Sequence, residues 1–280
     1  MTTTTTYQDI DWDRLWKNSR RNKSWCSKGA GDWNKKARSF QERNSRSPYV
    51  DLFLEKIDPF LDSSTTILDV GAGPGTLALP LAGHGASVTA IDYSPTMLEI
   101  LEQSGADQGH KNITTICAAW EDDWQSHGVV PHDIAIASRS MAVDDLRSAL
   151  TRLNRYAKKY VFISDRISPT PFEPAAFEAI GRDFNSGPDY IYTLNILYTM
   201  GIHPHVDIIK LDQDTRFDSI DTAMKSYRWM LKELTTKEEE LLRSYLERQI
   251  VARDGDSVTI RRSRPPRWAL IWWPTNPKIS

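Results

Sequence analysis

Short apolar runs recur along the chain, and between them apolar positions return every three or four residues. Residues 67–70, 87–91, 113–118, 133–137 and 160–164 are too short for helices and largely apolar, as strands covered on both faces are. The intervening segments read as helices. Over 49–61, Val50, Phe53, Leu54 and Ile57 share one helical face. Ser94 is placed to cap a helix to Ser104, with Pro95 in its first turn and Met97, Leu98 and Leu101 turned inward. Asp144 and Asp145 open another to Tyr156. Strand and helix in alternation predict an α/β fold around a parallel sheet.

Beyond residue 164 the rhythm changes. Pro169, Pro171 and Pro174 mark a loop, followed by helices over 172–184 and 188–200 and a sixth strand over 206–211. A helix over 218–232, capped by Asp218, carries Ile220, Met224, Tyr227 and Leu231 on one face. Thr235 and Glu238 form a capping-box pattern for a further helix to 249. A turn at 254–256, a short strand over 257–262 and a closing strand over 267–273 complete the pattern, the last two read as a hairpin. The expected division is an arm, 1–48, and a domain, 49–280, with helical insertions at about 166–202 and 218–250.

The first strand runs into LDVGAGPGT. Gly71, Gly73 and Gly75 let backbone N–H groups approach a ligand that side chains would block. The second strand ends on Asp92, about 20 residues after Gly71, where an acid can take a ribose diol. A dinucleotide fingerprint would need glycine where Thr76 stands, which disfavours an NAD-dependent oxidoreductase.

LDVGAGPGT, with Asp92 and IDYSPTMLEIL after it, resembles motif I and the ribose-binding acid of the class I S-adenosylmethionine-dependent methyltransferases. The resemblance spans roughly 58–165. It implies a Rossmann-like three-layer α/β sandwich, with a mostly parallel seven-stranded sheet, an antiparallel last strand, an N-terminal helical lid and helical insertions. It also implies S-adenosyl-L-methionine as cofactor, held by Asp69, Gly71, Ala72, Gly73, Gly75, Asp92, Tyr93, Met97, Ala119, Trp120 and Ser138. Family members often carry an adenine-binding acid where this chain has Ala119; Trp120 could pack on the adenine instead. SRSM at 138–141 lacks the prolines and aromatic of the tetrad shared by amino-directed DNA methyltransferases. Residues 32–40, DWNKKARSF, are similar to the W-x-x-R-A-x-x-(F/Y) stretch before motif I in small-molecule methyltransferases, with Ala37-Arg38 slightly shifted.

Composition narrows the reading. Of ten tryptophans, Trp12, Trp16, Trp25 and Trp33 fall in the polar arm and need somewhere to dock. A lid over the cofactor edge and packing of a helical arm are both open. The formal net charge of −2 argues against general nucleic-acid binding, and no apolar run is long enough to span a membrane. Cys26 and Cys117 make neither a disulfide framework nor a metal motif, and Cys117 is expected inside the sheet. No metal is expected, and a cytoplasmic protein is. His203 and His205 lack a third metal ligand. Arg261, Arg262, Arg264 and Arg267 form a local basic run. The expected activity is methyl transfer to a small molecule, with Trp33, Arg38, Arg139, Arg166, Tyr190 and Tyr192 as acceptor candidates. Methylation of RNA or protein, and cofactor binding without turnover, stay open. Asp92 is expected to serve the cofactor, with little effect on stability when it is removed.

Overall fold

The structure is a computed structural model that describes residues 6–24, 29, 31–35, 37 and 47–275. In chain order the strands are β1 Thr66–Val70, β2 Ser87–Asp92, β3 Ile113–Cys117, β4 His132–Ser138, β5 Ala157–Arg166, β6 His205–Lys210, β7 Thr215–Phe217, β8 Ile250–Asp254, β9 Ser257–Ile260 and β10 Arg267–Pro274. The helices are α1 Trp12–Arg21, α2 Tyr49–Ile57, α3 Ala78–Gly83, α4 Pro95–Asp107, α5 Leu146–Tyr156, α6 Pro174–Ala179, α7 Tyr190–Thr199, α8 Ile220–Leu231 and α9 Thr236–Arg248.

One seven-stranded sheet runs β3-β2-β1-β4-β5-β10-β6. β10 lies antiparallel between β5 and β6, and the other pairings are parallel. The apolar runs are continuous because both faces are covered. Leu68, Ala135, Ile163 and Ile271 face α5, α7 and Trp16 of α1. Ile67, Ile134, Phe162 and Leu270 face α2, α3 and α4. Strand order reverses between β1 and β4, so their carboxyl ends open the crevice where ligands bind in such sheets.

A second core stands apart from the sheet. Phe172 and Phe177, Met224 and Tyr227 of α8, Leu242 and Leu246 of α9, and Val258 and Ile260 of β9 pack together. Over them lies a three-stranded sheet, β7-β9-β8. This corrects the expected hairpin: β9 pairs with β8 and β7, and β10 pairs with β5 and β6. The turn at 254–256 joins β8 to β9, and β8 is almost wholly exposed, so it shows no apolar run. Two helices are shorter than expected. α6 is six residues long, and α7 begins at Tyr190, where the Asp189 carboxylate accepts from Ile191 N–H. Ser219, not Asp218, caps α8, accepting from Thr222 N–H.

Cys117 is exposed, against expectation, because β3 is an edge strand. The C-terminal arginines are largely paired: Arg261 with Asp214, and Arg262 with Glu173, which is fully buried. His205 stacks on Trp272 with ring centroids 4.0 Å apart. No helix among the described residues is long and apolar enough to cross a membrane.

Candidate cofactor and acceptor site

The three glycines of the turn do different work. Gly71 and Ala72 N–H both donate to Ile91 C=O, at 2.7 and 3.0 Å, which folds the turn back onto β2. Gly71 has φ +72°, and a Cβ there would lie 2.4 Å from Ser140 Cβ. Gly75, at φ +87°, would strike Leu101 and Leu79, so it sets the approach of α3 to α4. Gly73 is also in the left-handed region, at φ +57°, and is buried, yet a Cβ there would meet nothing within 4 Å. The close contacts hold the loop; the empty space is at Gly73.

Two buried acids flank the turn in sequence. Asp69, 2% exposed, has no hydrogen-bond partner on Oδ2, and burial first, then the nearby Asp92 charge, push its pKa up to about 7. Asp92 Oδ2 accepts from Gly73 N–H at 2.9 Å and its Oδ1 from Ser94 N–H at 2.8 Å. Burial still raises its pKa, opposed by these backbone bonds. Asp92 therefore also holds the glycine turn, a role the sequence reading did not assign to it.

The adenine-side candidates come together at the ends of β2 and β3. Met97 is buried in the first turn of α4, and Tyr93 is exposed beside it. Trp120 packs at 5.6 Å on Trp124, whose Nε1 donates to Ala119 C=O at 2.8 Å. The acid near Ala119 is Asp122, and it accepts from Ala119 N–H at 2.8 Å.

At the end of β4, Ser138 Oγ lies 2.7 Å from the Tyr49 hydroxyl, which also bonds Ser164 of β5. Arg139 follows with φ +58°, unusual for a residue with a side chain. Its guanidinium lies 4.3 Å from the Tyr49 ring centroid and 5.7 Å from that of Trp268. Ser140 Oγ donates to Val70 C=O at 2.7 Å, tying this loop to the glycine turn.

Arg166, Tyr190 and Tyr192 make other contacts. Arg166 Nε donates to Pro188 C=O at 2.7 Å, so it braces the entry to α7. Tyr190 and Tyr192 pack into the α5–α7 core, and Tyr192 meets Trp12 and Trp16 edge-on. Asp165, 9% exposed and pushed up to about 6 by burial, accepts from Thr193 Oγ1 at 2.8 Å and pins α7 to β5. Trp33 is half-buried, while Arg38 and Trp25 lie outside the described residues.

The arm touches both flanks of this edge. Trp16 is buried and its Nε1 donates to Val143 C=O at 3.0 Å. Ser24 and Asn185 exchange bonds of 2.9 and 2.8 Å. Asn34 Oδ1 accepts from Ser94 Oγ at 2.5 Å, next to Asp92. Tyr49, Asp165, Trp268 and Asn34 were not among the candidates read from the sequence. They are far apart along the chain, and only the fold assembles them; Asp165, at the end of an apolar strand, carried the one local signal.

The site suits S-adenosylmethionine. Space at Gly73, a buried carboxylate oxygen without a partner and a second buried acid match a ligand with cationic and hydroxyl groups. Among the described residues no group of three or more metal-ligating side chains occurs.

A family model described as a methyltransferase domain matches residues 67–160. An uncharacterised protein of Haemophilus influenzae is 35% identical over 244 residues, 86% of this chain and 88% of that one. Two shorter matches are a ubiquinone biosynthesis O-methyltransferase of Glaesserella parasuis and a protein of Methanosphaera stadtmanae described as "Probable ribosomal RNA small subunit methyltransferase A". The first is 28% identical over 35% of this chain and 49% of that protein, the second 37% over 24% of each. The YcgJ protein of Bacillus subtilis shares the fold, with a TM-score of 0.53 over 81% of this chain and 98% of that one, at 14% identity. With the glycine turn, the paired acids and the sheet order agreeing, the chain belongs to the class I S-adenosylmethionine-dependent methyltransferases.

Proposed function

We propose that the chain transfers a methyl group to a small-molecule acceptor, bound between the carboxyl ends of β4 and β5 and the N-terminal arm. The observation that carries this reading is the arm's attachment at both flanks of the edge, Trp16 at Val143 and Asn34 at Ser94. Attachment on two sides supports a lid role for residues 1–48 over a domain formed by 49–280, and a covered edge favours a small acceptor.

S-adenosylmethionine supplies an electrophilic methyl group on a sulfonium that leaves readily. The protein's task is then to hold and orient. Asp92 and the glycine turn would hold the ribose, Asp69 the cationic end, and Met97, Ala119, Trp120 and Tyr93 the adenine. Placing an acceptor at near-attack distance accounts for most of the acceleration. A base is needed only if the acceptor must lose a proton. The arm excludes water.

The test is acceptor-dependent formation of S-adenosylhomocysteine. Turnover with a deproteinised small-molecule extract, and none with purified RNA or protein fractions, is the expected result. Turnover only with RNA, falling steeply with salt, would replace the reading with RNA methylation. Cofactor binding without turnover in any fraction would leave a binding protein.

A further inference from the structure

Arg166 is a partly buried cation without a carboxylate partner. It is the last residue of β5, and its Nε and Nη2 both donate to Pro188 C=O. The two acids beside it are engaged elsewhere. Asp165 accepts from Arg166 N–H and from Thr193 Oγ1, each at 2.8 Å. Asp189 accepts from Ser168 and Ile191 N–H, each at 3.2 Å. The guanidinium forms no ion pair among the described residues, and its Nη1 donates to none of them without being sealed from solvent. A cation drawn this far out of water is ordinarily paired.

The arm brings a second cation towards it. Ser24 and Asn185 tie the arm to the segment before α7. Gly187 has φ +74°, and a Cβ there would lie 2.8 Å from Lys23 Cβ and 3.1 Å from Arg166 Nη2, so glycine is what lets the arm and Arg166 meet at this loop. Arg20, three residues before Lys23, has a side chain 17% exposed and its cation 5.7 Å from the Trp16 ring centroid. Its one hydrogen-bond partner is Asp144, whose side chain is 92% exposed, a rim pair that contributes little. Burial lowers the pKa of Arg166, Asp165 and Asp189 oppose this, and the Arg20 charge lowers it further. Two guanidinium groups held together against their repulsion suit an anion between them.

We propose, resting on the small-molecule reading above, that the acceptor carries an oxyanion, a carboxylate or a phosphate, bound between Arg20 of the arm and Arg166 at the end of β5. The fork geometry of a guanidinium matches either group. The position agrees, since β5 lies beside β4 at the cofactor edge. An acceptor bound there would bridge arm and domain.

Benzoate and phenyl phosphate are the probes, with benzamide as the uncharged comparator, titrated by calorimetry into the full chain saturated with S-adenosylhomocysteine. At least one anion is expected to bind tenfold or more tightly than benzamide, about 1.4 kcal/mol. Arg20→Gln and Arg166→Gln should each reduce that preference at least fivefold, and Arg166→Lys should keep part of it. Arg14→Gln, which removes an exposed cation elsewhere on α1 with the same change in net charge, should leave it unchanged. S-adenosylhomocysteine affinity within about twofold of the parent reports folding of every variant, and Arg20→Gln, whose side chain bonds only an exposed acid, keeps the test decisive if Arg166→Gln does not fold. No preference for either anion, a preference that survives Arg20→Gln, or an equal loss in Arg14→Gln would overturn the oxyanion inference while leaving methyl transfer to another small molecule standing. Failure of S-adenosylhomocysteine itself to bind, or turnover with RNA alone, would instead overturn the underlying reading.

Discussion

Asp69 and Asp92 illustrate how one residue can serve the fold and the ligand in opposite senses. Burial and the Asp92 charge disfavour the ionised form of Asp69 and push its pKa up to about 7, well above the usual carboxylate range. Its stabilising effect is fully present below about pH 4. It is lost as pH rises towards 7, and above 7 the loss is on the order of 4 kcal/mol. Asp69→Asn should therefore raise the ligand-free melting temperature at pH 8, and the gain over the parent should shrink steadily towards pH 4; equal gains at both ends would contradict the assignment. A cationic ligand favours the ionised form, so parental S-adenosylmethionine affinity should fall as pH drops through 7, and the pH profile of the Asn variant should be flatter. Asp92→Ala should weaken the cofactor by about 2 kcal/mol through lost charge-assisted bonds. The loss of acceptors for Gly73 and Ser94 N–H should also lower ligand-free stability by about 1–3 kcal/mol. Calorimetry and thermal melts on one preparation separate the two effects.

At the scale of elements, α1 is held to the domain by aromatic packing and a few polar bonds. Trp16 lies within the α5–α7 core, Arg147 bonds Asp13 at 2.9 Å, and Arg20 bonds Asp144 at 2.8 Å. The exposed ion pairs add little, so the indole dominates. Trp16→Ala should remove about 3–5 kcal/mol of arm docking, read as faster tryptic cleavage near Lys23 with the domain intact. In the parent chain, S-adenosylhomocysteine should protect bonds at Lys23 and Lys35, because Asn34 bonds Ser94 two residues from Asp92. Unchanged cleavage with ligand, together with unchanged affinity after removal of residues 1–47, would reduce the arm to packing.

On the scale of the whole molecule, the small core around α8 and α9 is tied to the segment after β5 by a buried pair. Arg262 Nε donates to Glu173 Oε2 at 2.7 Å, and its Nη2 reaches Pro171 and Phe172 C=O at 3.0 and 2.6 Å. Removing one partner strands a buried charge. Arg262→Met should destabilise the chain by about 3–5 kcal/mol, whereas adding Glu173→Gln should recover a large part, because the uncompensated carboxylate is then gone. Urea unfolding of the single and double variants measures this, and additive losses would argue against the pair.

Local pattern carried the strands β1 to β6, the helices between them and the glycine turn with its spaced acid. Sheets covered on both faces demand apolar runs, and close backbone approach demands glycine. The capping box at Thr235 was legible for the same reason, since a cap is settled within four residues. The three-stranded sheet was not, because β7 and β8 are short and exposed and gain their pairing only from β9. Nor was the exposure of Cys117, which depends on β3 having a neighbour on one side alone. Arg139 was legible after the apolar run of β4, but its surroundings were not: Tyr49, Ser164 and Trp268 come from α2, β5 and β10, and no local rule links them. Chemistry that one turn of chain can encode was present in the sequence; the environment that shifts Asp69, sets Arg139 beside two rings and lays the arm on the domain exists only where distant segments share one volume.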